Sequence, residues 1–292
     1  MMHVPFKQVD VFTSVPYKGN PVAVVLCAGD MTADQMQQIA NWTNLSETTF
    51  VVPTTDSRAD YRVRIFTPGS ELPFAGHPTV GTAHALLEAG YIDGKAGTLV
   101  QECDQGLVTL TLGRMPEGER CISFDLPEPA ITPLDGDRVA ELEAALGVEV
   151  VREFNPCLID VGPRWITAQL PSAEAVLSNR PDFTRMKSLN VEDKTTGVVI
   201  FGEHAQDSQT RIEVRAFAPA VGVIEDPVCG SGNGCVAAFI RHTGQAALFG
   251  SEYTASQGAV LGRAGIVRHT IADDRIQVGG AAVTCIDGRL TF

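Results

Sequence analysis

Hydrophobic and polar residues alternate over much of this chain, and the alternation predicts a protein rich in β-strands. The clearest strand patterns cover residues 4–12, 50–52, 60–67, 98–125, 157–168, 196–203 and 210–218. Within 98–125, a turn near Met115–Gly118 separates two or three antiparallel strands. Apolar residues at helical spacing predict helices at 32–42, with Thr32 as N-cap, and at 137–146 and 172–178. These elements together indicate the α+β class.

Two more predicted helices, at 79–89 and 233–243, are apolar on almost every side. A helix of this kind must be buried all round, and the segments that flank it have strand patterns. We therefore expect each helix to lie at the centre of a curled, mostly antiparallel sheet that wraps around it.

The two central helices belong to a repeat. Residues 63–90 and 214–244 share a strand with the pattern Val-Arg-x-Phe-x-Pro, a polar loop, a glycine-containing turn and the apolar helix. After a three-residue insertion, the equivalent positions are Gly76 with Gly230, Ala83 with Ala237, and Gly90 with Gly244. A duplicated unit predicts two pseudo-symmetric halves with an active site in the cleft between them.

The Pro-rich run 126–135 is the best candidate for a linker between the two halves. We predict an N-terminal half from residues 1–125 plus 282–292 and a C-terminal half from 126–281. The last segment, 282–292, is expected to return to the first sheet.

Composition narrows the range of partners. The 292 residues carry a formal charge of −13, and the basic residues form no run, so nucleic acid and anionic membranes are poor partners. No stretch of about 18 apolar residues is present, and the first residues do not read as a signal peptide. The seven cysteines have no metal-ligand spacing, which favours reduced thiols, a cytoplasmic location and no metal site.

Glu47 and His77 are the first candidates for chemistry. Glu47 lies in a polar stretch between a predicted helix and a strand, where it is either a solvated loop carboxylate or a general base whose pKa is raised by burial. His77 precedes Pro78 at the head of the first central helix, where it is either structural or part of an anion site that Gly76 opens. His84, further along the same helix, is predicted to be a core histidine.

The second glycine turn carries more reactive groups. Residues 226–234 combine an acid, a thiol, a hydroxyl and glycines ahead of the second central helix, in the order Asp226, Cys229, Gly230, Ser231, Gly232. The spacing matches neither a phosphate loop nor a dinucleotide fingerprint, so a small carboxylate is the better ligand. Cys229 is either a thiolate base, since a helix N-terminus lowers the pKa of a thiol, or a small buried side chain.

Four ordered motifs make the chain resemble a known family. They are Asp10-Val11-Phe12-Thr13 with Gly19-Asn20-Pro21, the run 44–50, the run from Arg64 to Thr79, and Glu225-Asp226-Pro227-Val228-x-Gly230-Ser231. They resemble the PhzF-like phenazine-biosynthesis family, within the wider fold of diaminopimelate epimerase and proline racemase.

The resemblance implies a homodimer of two-domain subunits and a cofactor-free isomerase that moves a proton on a dihydro-hydroxyanthranilate. It makes Glu47 the acid/base and His77, Asp226 and Ser231 the residues that orient the substrate. Gly76 and Gly230 would supply backbone donors, and Ser46 and Gly232 are placed with them as substrate-binding residues. Shielding from water would keep the proton on the enzyme.

Two departures from the family pattern, at Cys229 and in the run Gly232-Asn233-Gly234-Cys235, which is more epimerase-like than the usual continuation, leave alternatives open. The phenazine enzymes have Thr where this chain has Cys229, a position that coincides with one catalytic thiol of the epimerases, whereas the partner thiol's position is Ala75. An amino-acid racemase or epimerase using Cys229 with Glu47 is therefore one alternative. A relative that binds a metabolite or protein without catalysis is another.

Overall fold

A computed structural model describes residues 2–292 and divides the chain into two compact units. One unit runs to Asp125 and includes Gly279–Phe292, and the other is Leu126–Val278. The sequence analysis placed the boundaries between the halves after residue 125 and after residue 281.

Seven α-helices and two short 3-10 helices, Pro219–Val221 and Ala259–Leu261, are present in the described part of the chain. The α-helices are α1 Ala33–Thr43, α2 Gly76–Glu88, α3 Gly136–Leu146, α4 Ala173–Ser178, α5 Phe183–Asp193, α6 Gly230–His242 and α7 Ala246–Phe249. Thr32 caps α1 as predicted, in a reciprocal capping box with Gln35. Helix α5 was not predicted, because its apolar stripe is narrow: only Met186, Leu189 and Asn190 are buried.

The same residues form eighteen strands. Those before residue 126 are β1 His3–Val11, β2 Asn20–Val25, β3 Thr48–Val52, β4 Tyr61–Phe66, β5 Glu71–Leu72, β6 Thr98–Cys103, β7 Gly106–Arg114 and β8 Arg120–Asp125. The later ones are β9 Ala130–Pro133, β10 Cys157–Asp160, β11 Arg164–Gln169, β12 Gly197–Glu203, β13 Ile212–Ala218, β14 Val223–Asp226, β15 Glu252–Gln257, β16 Gly265–Ile271, β17 Ile276–Gly280 and β18 Ala282–Thr291.

Each unit contains a mixed sheet, and the two sheets have the same pattern of strand directions. The first has the order β18-β1-β2-β3-β4-β6-β7-β8, with parallel pairs only at β2/β3 and β4/β6. The second has the order β9-β10-β11-β12-β13-β15-β16, with parallel pairs only at β11/β12 and β13/β15. The duplication predicted from the sequence is therefore present in the topology. The return of the last segment is confirmed as well, because β18 pairs with β1 along its length.

Two corrections concern the start of the second unit. The predicted single strand 157–168 is two antiparallel strands, β10 and β11, because Gly162 at φ +101° turns the chain between them. The predicted linker 126–135 contains a strand, β9, which pairs with β10. Its prolines are tolerated because β9 is the first strand in the order of its sheet.

Helices α2 and α6 are the predicted central helices. Each has 13 residues and is buried on nearly all sides, α2 against β1, β2, β3, β8 and β18, and α6 against β10, β11, β12 and β16. Both begin three residues earlier than predicted, at Gly76 and Gly230, directly after an extended residue. The glycine turns thus become the first turns of the helices.

The repeated Val-Arg-x-Phe pattern has a structural reason. In the first unit, Arg64 makes a two-point ion pair with Glu71, at 2.7 Å for both bonds, and its guanidinium lies over Phe66. In the second, Arg215 pairs with Glu225, at 2.9 Å for both bonds, over the ring of Phe217. Each glutamate lies five residues before the first residue of a central helix, so each pair fixes the chain that enters the helix.

Candidate functional site

Glu47 lies between the end of α1 and the start of β3. Asn44, in the left-handed conformation at φ 55°, ends α1, and the carbonyl of Glu47 accepts a hydrogen bond from the Ala23 amide in β2. The side chain is largely buried, 17% exposed, and its Oε2 lies 3.4 Å from Nε2 of His77. The structure therefore brings together two residues that are 30 positions apart in the sequence.

Burial raises the pKa of the Glu47 carboxyl to about 7, although a hydrogen bond with the Ser46 side chain acts in the opposite direction. A carboxyl with a pKa near neutrality can accept a proton and return it at the same pH, as a general acid/base must. These properties do not fit the alternative of a solvated loop carboxylate.

His77 stands in the first turn of α2. Its neighbour Ala75 is extended, and no side chain caps the helix at this position. His77 is 7% exposed, so it can meet a ligand only at one edge. The N-terminus of a helix favours negative charge, which suits both the carboxylate of Glu47 and an anionic ligand.

Gly76 is required by packing. A Cβ atom at this position would overlap the ring of Phe124 in β8. Its role as a backbone donor to the substrate stays a prediction.

Polar side chains that the sequence did not single out hold α2 in place. Gln101 Nε2 donates to Thr79 Oγ1 at 3.0 Å, Tyr61 donates to Gln101, and Thr82 donates to Thr49. All are buried, although Thr and Gln are usually surface residues. Thr49 and Thr79 lie in the family motifs, but the motifs do not reveal their buried partners. His84 is 14% exposed beside Thr284, and burial lowers its pKa, in agreement with the predicted core role.

In the second unit, Gln257 organises the loop that leads into α6. Its Nε2 donates to the Asp226 carbonyl at 2.9 Å, and its Oε1 accepts from the Cys229 amide at 3.1 Å and from Asn233 Nδ2 at 2.8 Å. Gln257 is 1% exposed, and the Asp226 carboxylate accepts from the Val228 amide. Gln257 and Asn233 were missed for the same reason as Gln101.

Cys229 is the N-cap of α6. Its Sγ accepts a hydrogen bond from the Gly232 amide at 3.2 Å, and the side chain is 4% exposed. Burial raises the pKa of this thiol well above its usual range, and the nearby Asp226 raises it further. The expected lowering of the pKa by the helix N-terminus is thus outweighed by desolvation, which favours the packing and capping role. Gly232 was predicted to bind substrate, and its N–H is used in this cap.

Ser231 lies beside Cys229 and accepts a hydrogen bond from Trp165 Nε1 at 3.0 Å. Its Oγ is also 3.6 Å from Cys229 Sγ. The sequence analysis did not identify Trp165 as a partner of Ser231. A signal existed, because Trp165 is one of two tryptophans in the chain and a buried indole N–H generally finds an acceptor.

The predicted site residues thus form two groups. The first unit brings together Ser46, Glu47, Gly76 and His77, and the second holds Asp226, Cys229, Gly230, Ser231 and Gly232. Across residues 2–292, no cluster of three or more His, Cys, Asp or Glu side chains could hold a metal ion. None of the helices described here is long and apolar enough to cross a membrane.

The fold is of the epimerase-like α+β type, and the family and relatives reported next show that the protein is an isomerase. The chain belongs to the phenazine biosynthesis-like protein family (PhzC-PhzF), whose model matches residues 9–288. A crystal structure of a PhzF-family phenazine biosynthesis protein from Bacillus anthracis covers 100% of both chains with a TM-score of 0.86 at 25% identity. A hydroxyproline epimerase from Agrobacterium vitis shares the fold, with a TM-score of 0.61 at 14% identity over 99% of this chain and 92% of its own.

Two sequence relatives complete the comparison. The trans-2,3-dihydro-3-hydroxyanthranilate isomerase of Pseudomonas chlororaphis is 36% identical, over 94% of this chain and 95% of its own. The Antisense-enhancing sequence 1 protein of Schizosaccharomyces pombe is 43% identical, over 97% of both chains. Family, fold and isomerase class all agree with the expectations from the motifs.

Proposed function

We propose that this isomerase shifts a proton between two carbon atoms of a small carboxylate-bearing substrate, with Glu47 as the acid/base. The observation that carries the proposal is the buried Glu47 carboxyl, with a pKa raised to about 7, beside His77. The relative that is 36% identical is a trans-2,3-dihydro-3-hydroxyanthranilate isomerase, which supports a cyclic carboxylic acid of this kind as the substrate.

The reaction needs one group that accepts a proton and then releases it. Ionised Glu47 takes a proton from a substrate carbon, and the electron pair of the broken C–H bond moves into the adjacent π-system. The neutral carboxylic acid is the form that burial favours, so it holds the proton until another carbon of the same π-system receives it. No net oxidation occurs, and the carboxylate returns to its initial state.

The remaining residues bind and orient the substrate in this proposal. His77 lies next to the acid/base, and Asp226 and Ser231 are assigned to the substrate's polar groups, with Gly76 and Gly230 as backbone donors. The shared cleft for both groups, the homodimer, the cytoplasmic location and independence from cofactors remain proposals from the family resemblance.

The test is turnover of trans-2,3-dihydro-3-hydroxyanthranilate in D₂O, followed by proton NMR beside a panel of other small carboxylic acids and amino acids. We expect isomerisation of a cyclic dienoic acid with less than one deuterium at the carbon that is protonated, because Glu47 returns the proton that it removed from the same molecule. Binding across the panel without turnover would contradict the proposal and favour a non-catalytic relative. Deuterium at the α-carbon of an amino acid would favour the racemase.

Cys229→Ser is expected to retain turnover within about 3-fold of the wild type, because serine is also a good N-cap and preserves the bond from Gly232. The measurement is kcat for the substrate identified above. Cys235→Ser is the matched control, since Cys235 is a fully buried thiol on the same helix, at 3.8 Å from the Ile159 carbonyl. Loss of turnover in the Cys229 variant alone would restore the thiol as a catalytic base.

A further inference from the structure

The register of the two sheets identifies the counterpart of Glu47 in the second unit. Phe66 pairs with Thr48 and Phe217 pairs with Val198, and the two phenylalanines are equivalent in the repeated motif. Glu47 precedes Thr48 and Gly197 precedes Val198, so the second unit has a glycine where the first has its acid. By the matched turns, His77 corresponds to Ser231.

The Phe217 carbonyl and Trp165 fill the space beside Gly197. A Cβ atom on Gly197 would lie 2.0 Å from Phe217 O and 2.7 Å from Trp165 Cζ3, and Trp165 pairs with Gly197 across β11 and β12. Trp165 is 2% exposed within the core of the second unit. Its Nε1 reaches Ser231 Oγ at 3.0 Å, as Glu47 reaches His77 in the first unit. The second unit thus presents an N–H donor where the first presents a carboxyl.

The Trp165 N–H donor constrains the direction in which the Ser231 hydroxyl can donate its own proton. An indole N–H can only donate, so Ser231 Oγ accepts, and the hydroxyl hydrogen must point away from the ring. Cys229 Sγ, at 3.6 Å from the same oxygen, is the acceptor available to the hydroxyl proton, and it is a weak one that already receives the Gly232 amide. A charged oxygen is a much stronger acceptor than this sulfur, and Ser231 is partly exposed, so an anionic ligand that reaches Ser231 would take the hydroxyl proton in place of Sγ.

We propose that Trp165 is a positioning residue that directs the Ser231 hydroxyl to donate to an anionic oxygen of the substrate, so that this position selects a carboxylate. The inference rests on the proposed function in one respect, the carboxylate-bearing substrate. A hydrogen bond to a charged oxygen is roughly twice as strong as one to a neutral oxygen, so a directed donor favours an acid over its amide.

The experiment measures the affinity of two probes by calorimetry, 3-hydroxyanthranilate and its primary amide. Trp165→Phe removes the N–H donor, and we expect it to weaken binding of the acid by about 3- to 10-fold while changing binding of the amide by less than about 2-fold. In the Ser231→Ala background, Trp165→Phe should have no further effect on the acid. With the substrate identified above, KM should rise while kcat stays within about 3-fold, because Glu47 moves the proton.

Trp42→Phe is the matched control, since Trp42 is 82% exposed on α1 and should leave both affinities unchanged. In that variant, Trp165 is the remaining tryptophan, and Ser231→Ala should shift its fluorescence by removing the hydrogen-bond partner. If Trp165→Phe fails to fold, β-(3-benzothienyl)alanine at position 165 keeps the ring shape and replaces the N–H with sulfur.

Equal weakening of acid and amide, or the same weakening with Ser231 absent, would overturn the inference and assign Trp165 to packing alone. Either result leaves turnover, and with it the proposed function, intact. Wild-type protein that binds the acid selectively but turns over no panel member contradicts the proposed function and leaves this inference standing. Failure of the wild type to bind the acid overturns both.

Discussion

Glu47→Gln is expected to lower kcat by about 10²- to 10⁴-fold, the range typical of a lost general acid/base. Glutamine has the shape of glutamic acid but cannot take a proton, so the loss measures proton transfer. In the wild type, the acid limb of the pH profile of kcat/KM should report ionisation of Glu47 near its raised pKa of about 7. Activity should rise with pH through this value, since the ionised form starts the reaction.

The same substitution should stabilise the protein at pH 8. The pKa of Glu47 is raised on folding from 4.5 to about 7, so the folded state binds the proton more tightly than the unfolded state does. The contribution of Glu47 to the free energy of unfolding is therefore fully present below pH 4.5, and it is lost as the pH rises through 7. Removing the buried charge should add on the order of 1–3 kcal/mol to the free energy of unfolding at pH 8 and little at pH 4.5.

Urea unfolding at both pH values measures this difference. Glu128→Gln is the control, because that carboxylate is 81% exposed and should show no such pH dependence. Full activity of Glu47→Gln would remove Glu47 from the mechanism. An inactive variant whose stability matches the wild type at both pH values would show that the carboxyl is not buried as described.

Arg215→Met is expected to lower the free energy of unfolding of the second unit by about 3–5 kcal/mol, because it leaves a buried carboxylate without its partner. The side chains of Arg215 and Glu225 are only 4% and 7% exposed. Arg215 Nη1 also donates to the carbonyls of Val176 and Asn179 at the end of α4, and methionine makes none of these bonds.

The repeat supplies the control for this prediction. Arg64→Met removes the equivalent pair, whose side chains are 28% and 36% exposed, and should cost less than about 1 kcal/mol. Trp165 fluorescence reports unfolding of the second unit when Trp42 is replaced by Phe, and amide hydrogen exchange in β3 and β4 reports unfolding of the first. Equal losses at the two arginines would show that burial does not set the strength of these pairs.

Much of the fold could be predicted from the sequence, because its strongest signals are local or repeated. The period of apolar residues predicted α2 and α6, and their all-round apolar character required burial. The repeated Val-Arg-x-Phe pattern predicted two halves whose strand directions match. Helix α5 and strand β9 were not predicted because their hydrophobic patterns are weak. Helix α5 buries only a narrow stripe of residues, and β9 lies in a Pro-rich run.

The sequence by itself determined the family, the duplication and the list of reactive residues, since motifs and spacing are properties of the chain. Only the tertiary structure decided what those residues can do. Glu47 is a candidate acid/base because folding buries it beside His77, and Cys229 is a cap because folding surrounds its thiol. Trp165 and Gln257 enter the site from other strands. A pKa and a hydrogen-bond partner depend on distance and solvent exposure, which arise when segments far apart in the chain are packed together.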